Sequence, residues 1–342
     1  MNQRVTQRFD VSQVHLAAEL LRDGKLIAFP TETVYGLGAN AWNESAIADL
    51  YAAKGRPSDN PLIVHVGSMD QIRAVARDVP ETALRLIHRF WPGPLTLVLP
   101  KHRDLSSRVT GGLDSVGIRI PKHPTALALL QSAGVPVVAP SANRSGRPSA
   151  TTWQSVVEDL HGRIDGVIMD APTTIGLEST VVDLTQSHPV ILRAGAISLE
   201  SVQSVVPETI EATSGAEAQI LRRSPGTRHP HYQPVAKVIL HPWCGDVPTP
   251  LHDAQSWIGV GLEDASRAWI GLHAPPETFA ADGIPWTAQE RCASVEHYAQ
   301  RLYAFFREMD HAGVDCIVCE SVPEAGIGRA LNDRMQRAAG RA

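Results

Sequence analysis

The sequence predicts an α/β protein with two domains, of which the first has a mixed sheet with helices packed on it. Short apolar runs alternate with amphipathic stretches from Val11 to about Val206, as strands and helices do when they follow each other. Some strand candidates follow helices and others follow one another directly, which favours a mixed sheet over a strictly parallel one. The alternation breaks over residues 207–234 and resumes over residues 235–342. We therefore expect a first domain over 1–206, a linker over 207–234 and a smaller α/β domain over 235–342.

Short apolar runs predict the strands of the first domain, and Pro30 ends the first of them because proline cannot continue a central strand. The predicted strands are Leu26–Phe29, Leu62–Val66, Leu95–Leu99, Val116–Ile120, Val135–Ala139, Gly166–Met169, Thr180–Leu184 and Val190–Arg193. Amphipathic stretches predict helices, and Pro124 suits the first turn of the fifth. The predicted helices are Val14–Arg22, Ser45–Ala53, Gln71–Arg77, Glu81–Phe90, Thr125–Ala133, Thr152–Leu160 and Leu199–Val205.

The second domain carries fewer and more widely spaced apolar runs. They predict strands at Val238–Leu240, Ile258–Leu262, Trp269–Leu272 and Cys316–Cys319, a long helix over Ala288–His311, and a closing helix after Gly326. Cys316 and Cys319 have a spacing that metal and redox sites use. Residues three apart on a strand point to opposite faces, however, so we expect these two thiols to be structural.

Composition excludes several classes of protein. The chain has 342 residues and a net charge of −5, which argues against an extended nucleic-acid surface but allows a local basic cleft. The first ten residues lack an apolar core segment, and no run approaches the ~18 apolar residues that would span a bilayer. We therefore expect a cytoplasmic protein without a membrane segment.

A dense polar stretch follows the first predicted strand and is the most informative part of the sequence. Thr31, Thr33 and Tyr35 expose hydroxyl groups there, and Lys54 and Arg56 follow within one helix length. A lysine and an arginine two residues apart, beside glycine and proline, can hold two faces of a polyanion. An ordinary Thr-rich turn is the alternative interpretation of the first segment.

Two further polar clusters follow predicted strands. The first runs from Ala139 to Ser149, where hydroxyls, an amide and backbone N–H groups can bind an anion. The second joins Glu178-Ser179-Thr180 to Arg193 at the end of the next strand. Arg119 adds a charge inside an apolar strand, which is costly unless an anion pairs with it, and a structural salt bridge is the alternative.

The remaining inventory argues against covalent catalysis. The sequence has no G-x-x-x-x-G-K-[ST] phosphate loop and no G-x-S-x-G elbow, and His65 has no partner visible in the sequence. It shows neither paired carboxylates nor a His-rich metal-binding spacing, so we expect no metal held by the protein itself. This inventory favours a site that neutralises phosphates and positions substrates.

The linker contains Arg228, His229, His231 and Tyr232, which are unusual residues for a plain spacer. A surface tether is the alternative interpretation. We expect this segment to be a lid that is ordered when nucleotide is bound.

Together these motifs resemble the threonylcarbamoyl-AMP synthases, or YrdC-like proteins, in their long two-domain form. The resemblance covers essentially the whole chain and rests on the order and spacing of the motifs. They are Pro30-Thr31-Glu32-Thr33-Val34-Tyr35-Gly36-Leu37, Lys54-x-Arg56, Ser141-x-Asn143, Glu178-Ser179-Thr180-Val181 and Ser224-Pro225-Gly226 with His231-Tyr232-x-Pro234. The resemblance implies a YrdC-like mixed, twisted sheet with flanking helices, followed by a smaller Rossmann-like α/β domain.

The resemblance also implies the activity. Such enzymes convert L-threonine, bicarbonate or CO2, and ATP into threonylcarbamoyl-AMP and pyrophosphate. A separate transferase then moves the threonylcarbamoyl group to an adenosine next to the anticodon of tRNA. Mg²⁺ is expected to arrive on the ATP phosphates, with several waters.

By the same resemblance, each site residue has an expected substrate. The residues expected to hold threonine are Thr33, His65, Arg119, Ala139 through its backbone, and Ser179. Those expected to hold ATP are Lys54, Arg56, Asn60, Ser115, Ser141, Asn143, Ser149, Arg193 and Tyr232, with Lys54 and Arg56 as the catalytic pair. Pro230 stands where the family often has a basic residue, which leaves the detail of lid closure open.

Two other functions compete with this one. One is a module that binds double-stranded RNA or tRNA without chemistry of its own, against which the acidic net charge counts. The other is a carbamoyl-transfer enzyme of hydrogenase maturation, which would also carry paired zinc-binding CxxC motifs and an acylphosphatase domain. This chain has neither, although weak RNA binding is compatible with a local basic cleft.

Overall fold

The computed structural model describes residues 4–212, 223–224, 232–243, 265–275 and 285–340. The chain divides into two compact units, residues 1–145 with 149–229 and residues 146–148 with 230–342. The predicted strand over Ile258–Leu262 and the linker residues Arg228, His229 and His231 lie outside the described residues. No helix within the described ranges is long and apolar enough to cross a membrane.

The first unit alternates short strands with helices, as the sequence predicts. Its strands are β1 (Gln7–Asp10), β2 (Ile27–Phe29), β3 (Gly36–Asn40), β4 (Ile63–His65), β5 (Leu95–Pro100), β6 (Ser115–Arg119), β7 (Val137–Val138), β8 (Gly166–Met169), β9 (Thr180–Asp183), β10 (Val190–Arg193) and β11 (Ile210–Glu211). Its helices are α1 (Val14–Arg22), α2 (Glu44–Lys54), α3 (Met69–Val75), α4 (Glu81–Phe90), α5 (Ser107–Thr110), α6 (Pro124–Ala133), α7 (Trp153–Leu160) and α8 (Leu199–Gln203), and a short 3-10 turn (Val11–Gln13) precedes α1.

These strands form a mixed sheet in the order β1-β8-β2-β3-β7-β4-β6-β5-β9-β10-β11. Strands β4 and β6 are parallel, β5 is antiparallel to β6, β9 is parallel to β5, and β10 is antiparallel to β9. The predicted mixed sheet with flanking helices is confirmed.

Apolar residues on successive positions of the same strand enter different core clusters. Leu26 and Ala28 pack into the larger cluster, whereas Ile27 and Phe29 pack into a smaller one with residues of α1 and α6. This alternation follows from the two faces of a pleated strand. The central strands are therefore buried on both sides, which is why they read as continuous apolar runs.

Three strands of the first unit, β1, β3 and β11, were not predicted, and a fourth is shorter than predicted; β11 lies in the stretch predicted as a linker. Strand β1 was missed because Phe9 is buried while the polar residues around it are exposed. Strand β3 was missed because its small residues, Gly36 to Asn40, resemble a loop, although all five are buried. The strand predicted over Val135–Ala139 contracts to Val137–Val138.

The described residues of the second unit form a four-stranded parallel sheet. Its strands are β12 (Lys237–His241), β13 (Arg267–Gly271), β14 (Trp286–Arg291) and β15 (Cys316–Glu320), in the order β12-β15-β13-β14. Its helices are α9 (Val295–His311) and α10 (Gly328–Ala338). Cys316 and Cys319 are buried on β15, in agreement with a structural role.

The predicted helix over Ala288–His311 is wrong at its start. Ala288 belongs to β14, whose residues alternate between half-buried and exposed. The helix begins only at Val295, because the Ser294 side chain accepts a hydrogen bond from the backbone N–H of His297 and caps it.

The chain passes very close to the start of β9 just after β10 ends. A Cβ atom at Gly195 would lie 2.3 Å from the backbone nitrogen of Thr180 and 2.6 Å from the carbonyl carbon of Ser179. Backbone atoms cannot swing aside as a flexible side chain can, so this position requires glycine for lack of space.

We predict that Gly195→Ala destabilises the first unit by about 3 kcal/mol, the upper part of the range for overpacking. Gly134→Ala is the matched control, because Gly134 has a positive φ of 68° but a Cβ atom there would have no neighbour within 4 Å, so we expect a loss of about 1 kcal/mol. Denaturant unfolding of both variants measures the difference. Equal losses would show that the close approach is not a constraint.

Candidate active site

Four predicted site residues lie along one edge of the large sheet. His65 and Arg119 end the neighbouring parallel strands β4 and β6 and stand directly opposite each other. Because β5 is antiparallel to β6 and parallel to β9, the start of β9 lies at this same edge, next to Ser179. Strand β10 runs antiparallel to β9 and ends there with Arg193.

Arg119 is buried and bonded to three other residues at this edge. Its residue is only 3% exposed, and Nη2 lies 2.6 Å from Oε1 of Glu32, a buried ion pair. Nη1 donates to Oγ1 of Thr33 at 2.9 Å, and Nε donates to the carbonyl of Gly93 at 3.0 Å. The salt bridge that was the alternative interpretation of Arg119 is therefore present in the structure.

The loop between β2 and β3 is fixed by its own hydrogen bonds and by a second loop. Oγ1 of Thr31 lies 2.8 Å from Oγ1 of Thr33 and donates to the carbonyl of Val34. The carbonyl of Glu32 accepts from the backbone N–H of Ile175 at 2.8 Å. The carboxylate of Glu32 is thus carried by a rigid loop and not by a mobile one.

His65 is neutral under ordinary conditions. Burial, and then the positive charge of Arg119, lower the pKa of His65 to about 3. Nδ1 of its ring has no hydrogen-bond partner among the described residues, and the ring packs edge-on against Phe29 with centroids 6.2 Å apart. A neutral imidazole has one donor and one acceptor nitrogen, so it can form a hydrogen bond with an uncharged group such as a hydroxyl.

Ser179 lies between a threonine and an arginine. Its Oγ is 2.8 Å from Oγ1 of Thr96 and accepts from Nη2 of Arg193 at 3.2 Å. Nε of Arg193 also donates to the backbone carbonyl of Ser179 at 3.1 Å. These bonds hold the segment before β9 in place at the edge shared with Arg119.

Lys54 lies one residue beyond the helix predicted over Ser45–Ala53, and in the structure it belongs to that helix and is buried. It is the last residue of α2, because Gly55 ends that helix with a left-handed conformation, and only 3% of Lys54 is exposed. Nζ donates to the backbone carbonyls of Ser141 and Asn143. Burial, and then the nearby Arg56, hold the pKa of Lys54 well below its usual value.

Arg56 is half-buried just beyond the helix. Its Nη2 donates to the carbonyl of Pro61 at 2.9 Å, and Nε makes a longer contact with the carbonyl of Asn60 at 3.4 Å. Asn60 is fully buried, and Ser115 is buried at the start of β6. Asn60 precedes β4 and Ser115 begins the parallel β6, so both lie toward the edge of the sheet opposite His65.

The loop from Ala139 to Ala150 joins the two edges. The backbone N–H of Ala139 donates to Ile63, whose strand is antiparallel to β7, so the loop leaves from the edge opposite His65. Its other end returns to the edge that carries Arg119 and Ser179, because Oγ of Ser149 donates to Oε1 of Glu178 at 2.6 Å. Glu178 immediately precedes Ser179. This buried hydrogen bond therefore connects the loop held by the lysine cluster (Lys54 and Arg56) to the arginine cluster (Arg119, Ser179 and Arg193).

Tyr232 is placed in the second unit. Its ring is stacked on that of Tyr303 with centroids 5.4 Å apart, and the guanidinium of Arg334 lies over it. Tyr232 is 4% exposed and has a positive φ of 68°. Its predicted contact with nucleotide stays a prediction.

Sequence reasoning missed two residues of this site. Glu32 was quoted as part of the first polar stretch without a role of its own, yet it is the counter-ion of Arg119. Thr96 was overlooked inside an apolar strand, where a single hydroxyl between Leu95 and Leu97 was the available signal. Among the described residues, no group of three or more His, Cys, Asp or Glu side chains could hold a metal ion.

Comparison with known families covers both units. The model described as "Telomere recombination" matches residues 19–195. The model described as "Threonylcarbamoyl-AMP synthase, C-terminal domain" matches residues 197–340.

Individual relatives match over almost the full chain. A threonylcarbamoyl-AMP synthase of Pyrococcus abyssi is 41% identical over 337 residues, which cover 98% of this chain and 96% of the relative. The Bacillus subtilis protein of the same name is 43% identical, with 96% and 93% covered. The crystal structure of P. abyssi Sua5 complexed with L-threonine has a TM-score of 0.86 at 39% identity and covers 98% of this chain and 97% of that one. With both units matched and the fold shared along its whole length, this chain belongs to the threonylcarbamoyl-AMP synthase family.

Proposed function

We propose that the first unit makes threonylcarbamoyl-AMP and pyrophosphate from L-threonine, bicarbonate or CO2, and ATP, for modification of tRNA next to the anticodon. The reaction is inferred from family membership, and its location is inferred from one structural observation. The Ser149–Glu178 hydrogen bond joins a Lys54–Arg56 cluster, suited to phosphates, to an Arg119 cluster, suited to an amino acid.

The amino acid is proposed to bind at the edge formed by β4, β6 and β9. Nη2 of Arg119 can donate to the α-carboxylate of the amino acid, because Nη1 and Nε already donate to Thr33 and Gly93. The neutral imidazole of His65 and the hydroxyl groups of Thr33 and Ser179 suit a side-chain hydroxyl. The backbone of Ala139 is also predicted to belong to this set, although Ala139 lies toward the opposite edge of the sheet.

ATP is proposed to bind at the lysine cluster. The cations Lys54 and Arg56 would neutralise its phosphates, and polar groups would fix the rest of the molecule. These polar residues are Asn60, Ser115, Ser141, Asn143, Ser149 and Arg193, and the family resemblance adds Tyr232. Because Lys54 is already bonded to two carbonyls of the loop, a phosphate would meet a preformed cradle.

Positioning and charge neutralisation would supply most of the catalysis. The amine of threonine would form a carbamate, and a carbamate oxygen would attack the α-phosphorus of ATP. Holding two reactants in the correct geometry can contribute about 7–11 kcal/mol. Mg²⁺ would arrive on the ATP phosphates, since such ions usually bind through substrate phosphates and water.

The remaining parts of the proposal concern partners. A transferase would take the labile adenylate and act on tRNA, and weak RNA binding by this chain is compatible with the basic cluster. We place the reaction in the cytoplasm, where threonine, ATP and tRNA are found together.

The experiment that tests the function is pyrophosphate release with each substrate omitted in turn. We expect release only when threonine, bicarbonate and ATP are all present, with the adenylate detected by mass spectrometry. Binding of tRNA without any substrate-dependent release would favour the RNA-binding alternative.

We predict that Arg56→Met abolishes most pyrophosphate release and costs less stability than Lys54→Met, because Arg56 is half-buried whereas Lys54 is buried, although the carbonyl partners of Arg56 belong to the buried Asn60 and Pro61. Lys54→Met should lower both turnover and stability, because it leaves two loop carbonyls without their donor, at about 1–3 kcal/mol for each buried group. Steady-state kinetics and thermal melting measure the two effects. Equal stability of the two variants would contradict the buried position of Lys54.

We predict that ATP binding takes up protons at pH values between the lowered pKa of Lys54 in the free protein and its higher pKa beside a bound phosphate. Burial and Arg56 lower the pKa of Lys54 in the free protein, and a bound phosphate would raise it again, so between these two values the ammonium forms on binding. Calorimetry in buffers of different ionisation enthalpy counts the protons. The uptake should vanish in Lys54→Met and with adenosine, which carries no phosphate; uptake that persists in both would assign it to another group.

A further inference from the structure

The carboxylate of Glu32 is buried, and its charge is only partly compensated by its neighbours. The residue is 5% exposed, and neither carboxylate oxygen has a hydrogen-bond partner among the described residues. Nη2 of Arg119 approaches Oε1 at 2.6 Å, but without the alignment of a hydrogen bond, so this contact is an ion pair. An ionised carboxylate can accept about four hydrogen bonds. The polar atoms of buried side chains nearly always have at least one hydrogen-bond partner.

Arg119 shows the complementary property at the same place. Its Nη1 and Nε donate to Thr33 and Gly93, whereas Nη2, which faces Glu32, makes no hydrogen bond within the described part of the chain. The two charged groups therefore present an unfilled acceptor and an unfilled donor side by side. That arrangement matches the ammonium and carboxylate of an α-amino acid.

The charge balance of this edge favours the same ligand. Arg119 and Glu32 cancel each other, and His65 is uncharged because its pKa lies near 3. A zwitterion adds no net charge, so it can enter without leaving a buried charge uncompensated. A ligand with a carboxylate but no ammonium would place a second anion beside Glu32 and would be repelled.

We propose that Glu32 binds the α-ammonium group of the amino-acid substrate. This inference rests on the proposed function.

The structure also fixes where this carboxylate can be. The backbone carbonyl of Glu32 accepts from Ile175, and the adjacent Thr31 and Thr33 hold each other. Glu32 therefore meets the ammonium without rearrangement of its loop. Glu178, the other buried carboxylate near Ser179, already accepts from Ser149 and serves as a matched control.

The test compares the affinities of L-threonine and of the dihydroxybutanoate in which the amine is replaced by a hydroxyl group, measured by calorimetry without turnover. In Glu32→Gln we expect the preference for threonine to fall by at least about 30-fold. Glu32→Asp keeps the charge and should keep the preference, and Glu178→Gln should keep it as well. Thermal melting checks that each variant is folded, and Glu32→Asp covers the case in which Glu32→Gln does not fold.

Each outcome decides one question. If Glu32→Gln weakens both ligands equally, Glu32 only holds Arg119, and the proposal is wrong. If Glu32→Asp loses the preference as far as Glu32→Gln does, or Glu178→Gln loses it too, the proposal is also wrong. If the wild-type protein binds neither ligand and releases no pyrophosphate, the proposed function fails before Glu32 is tested.

Discussion

The buried ion pair between Arg119 and Glu32 is the interaction on which the site depends. Breaking such a pair by removing one partner typically costs about 3–5 kcal/mol, because the other charge is left buried. Arg119 ends a central strand, and Glu32 lies on the loop after another, so the pair ties that loop to the sheet. The hydrogen bonds of Arg119 to Thr33 and Gly93 then fix three segments around one guanidinium group.

The mixed sheet explains how two substrates could meet in this unit. Antiparallel pairs bring strand starts and strand ends to the same edge, so Ser179 before β9 joins Arg119 after β6. The loop after β7 leaves from the opposite edge, where Lys54 holds it through two carbonyls. It then returns to Glu178, so charges from both edges belong to one hydrogen-bonded assembly. In a strictly parallel sheet the start of β9, and with it Ser179, would lie at the edge opposite Arg119.

Much of this arrangement follows from the sequence, because buried strands are apolar runs and polar clusters follow them. The sequence predicts the end of α2 to within one residue, but it could not predict the burial of Lys54, because that depends on the distant loop after β7 whose carbonyls Lys54 binds. It could not pair Glu32 with Arg119 either, because the two are far apart in the chain and meet only through the sheet. The start of α9 was missed because β14 and the helix are both amphipathic, and Ser294 marks the boundary only once its hydrogen bond is seen. The family resemblance predicts that Tyr232 contacts the nucleotide, whereas the described contacts of its ring are with Tyr303 and Arg334.

A double-mutant cycle on the central pair tests this account most directly. The variants are Arg119→Met, Glu32→Gln and the two together, each measured for unfolding free energy and for threonine affinity. The account predicts that the double variant is more stable than the single variants would suggest by addition, because neither charge is left alone, while threonine binding is lost. Additive losses of stability, or a double variant that still binds threonine, would contradict it.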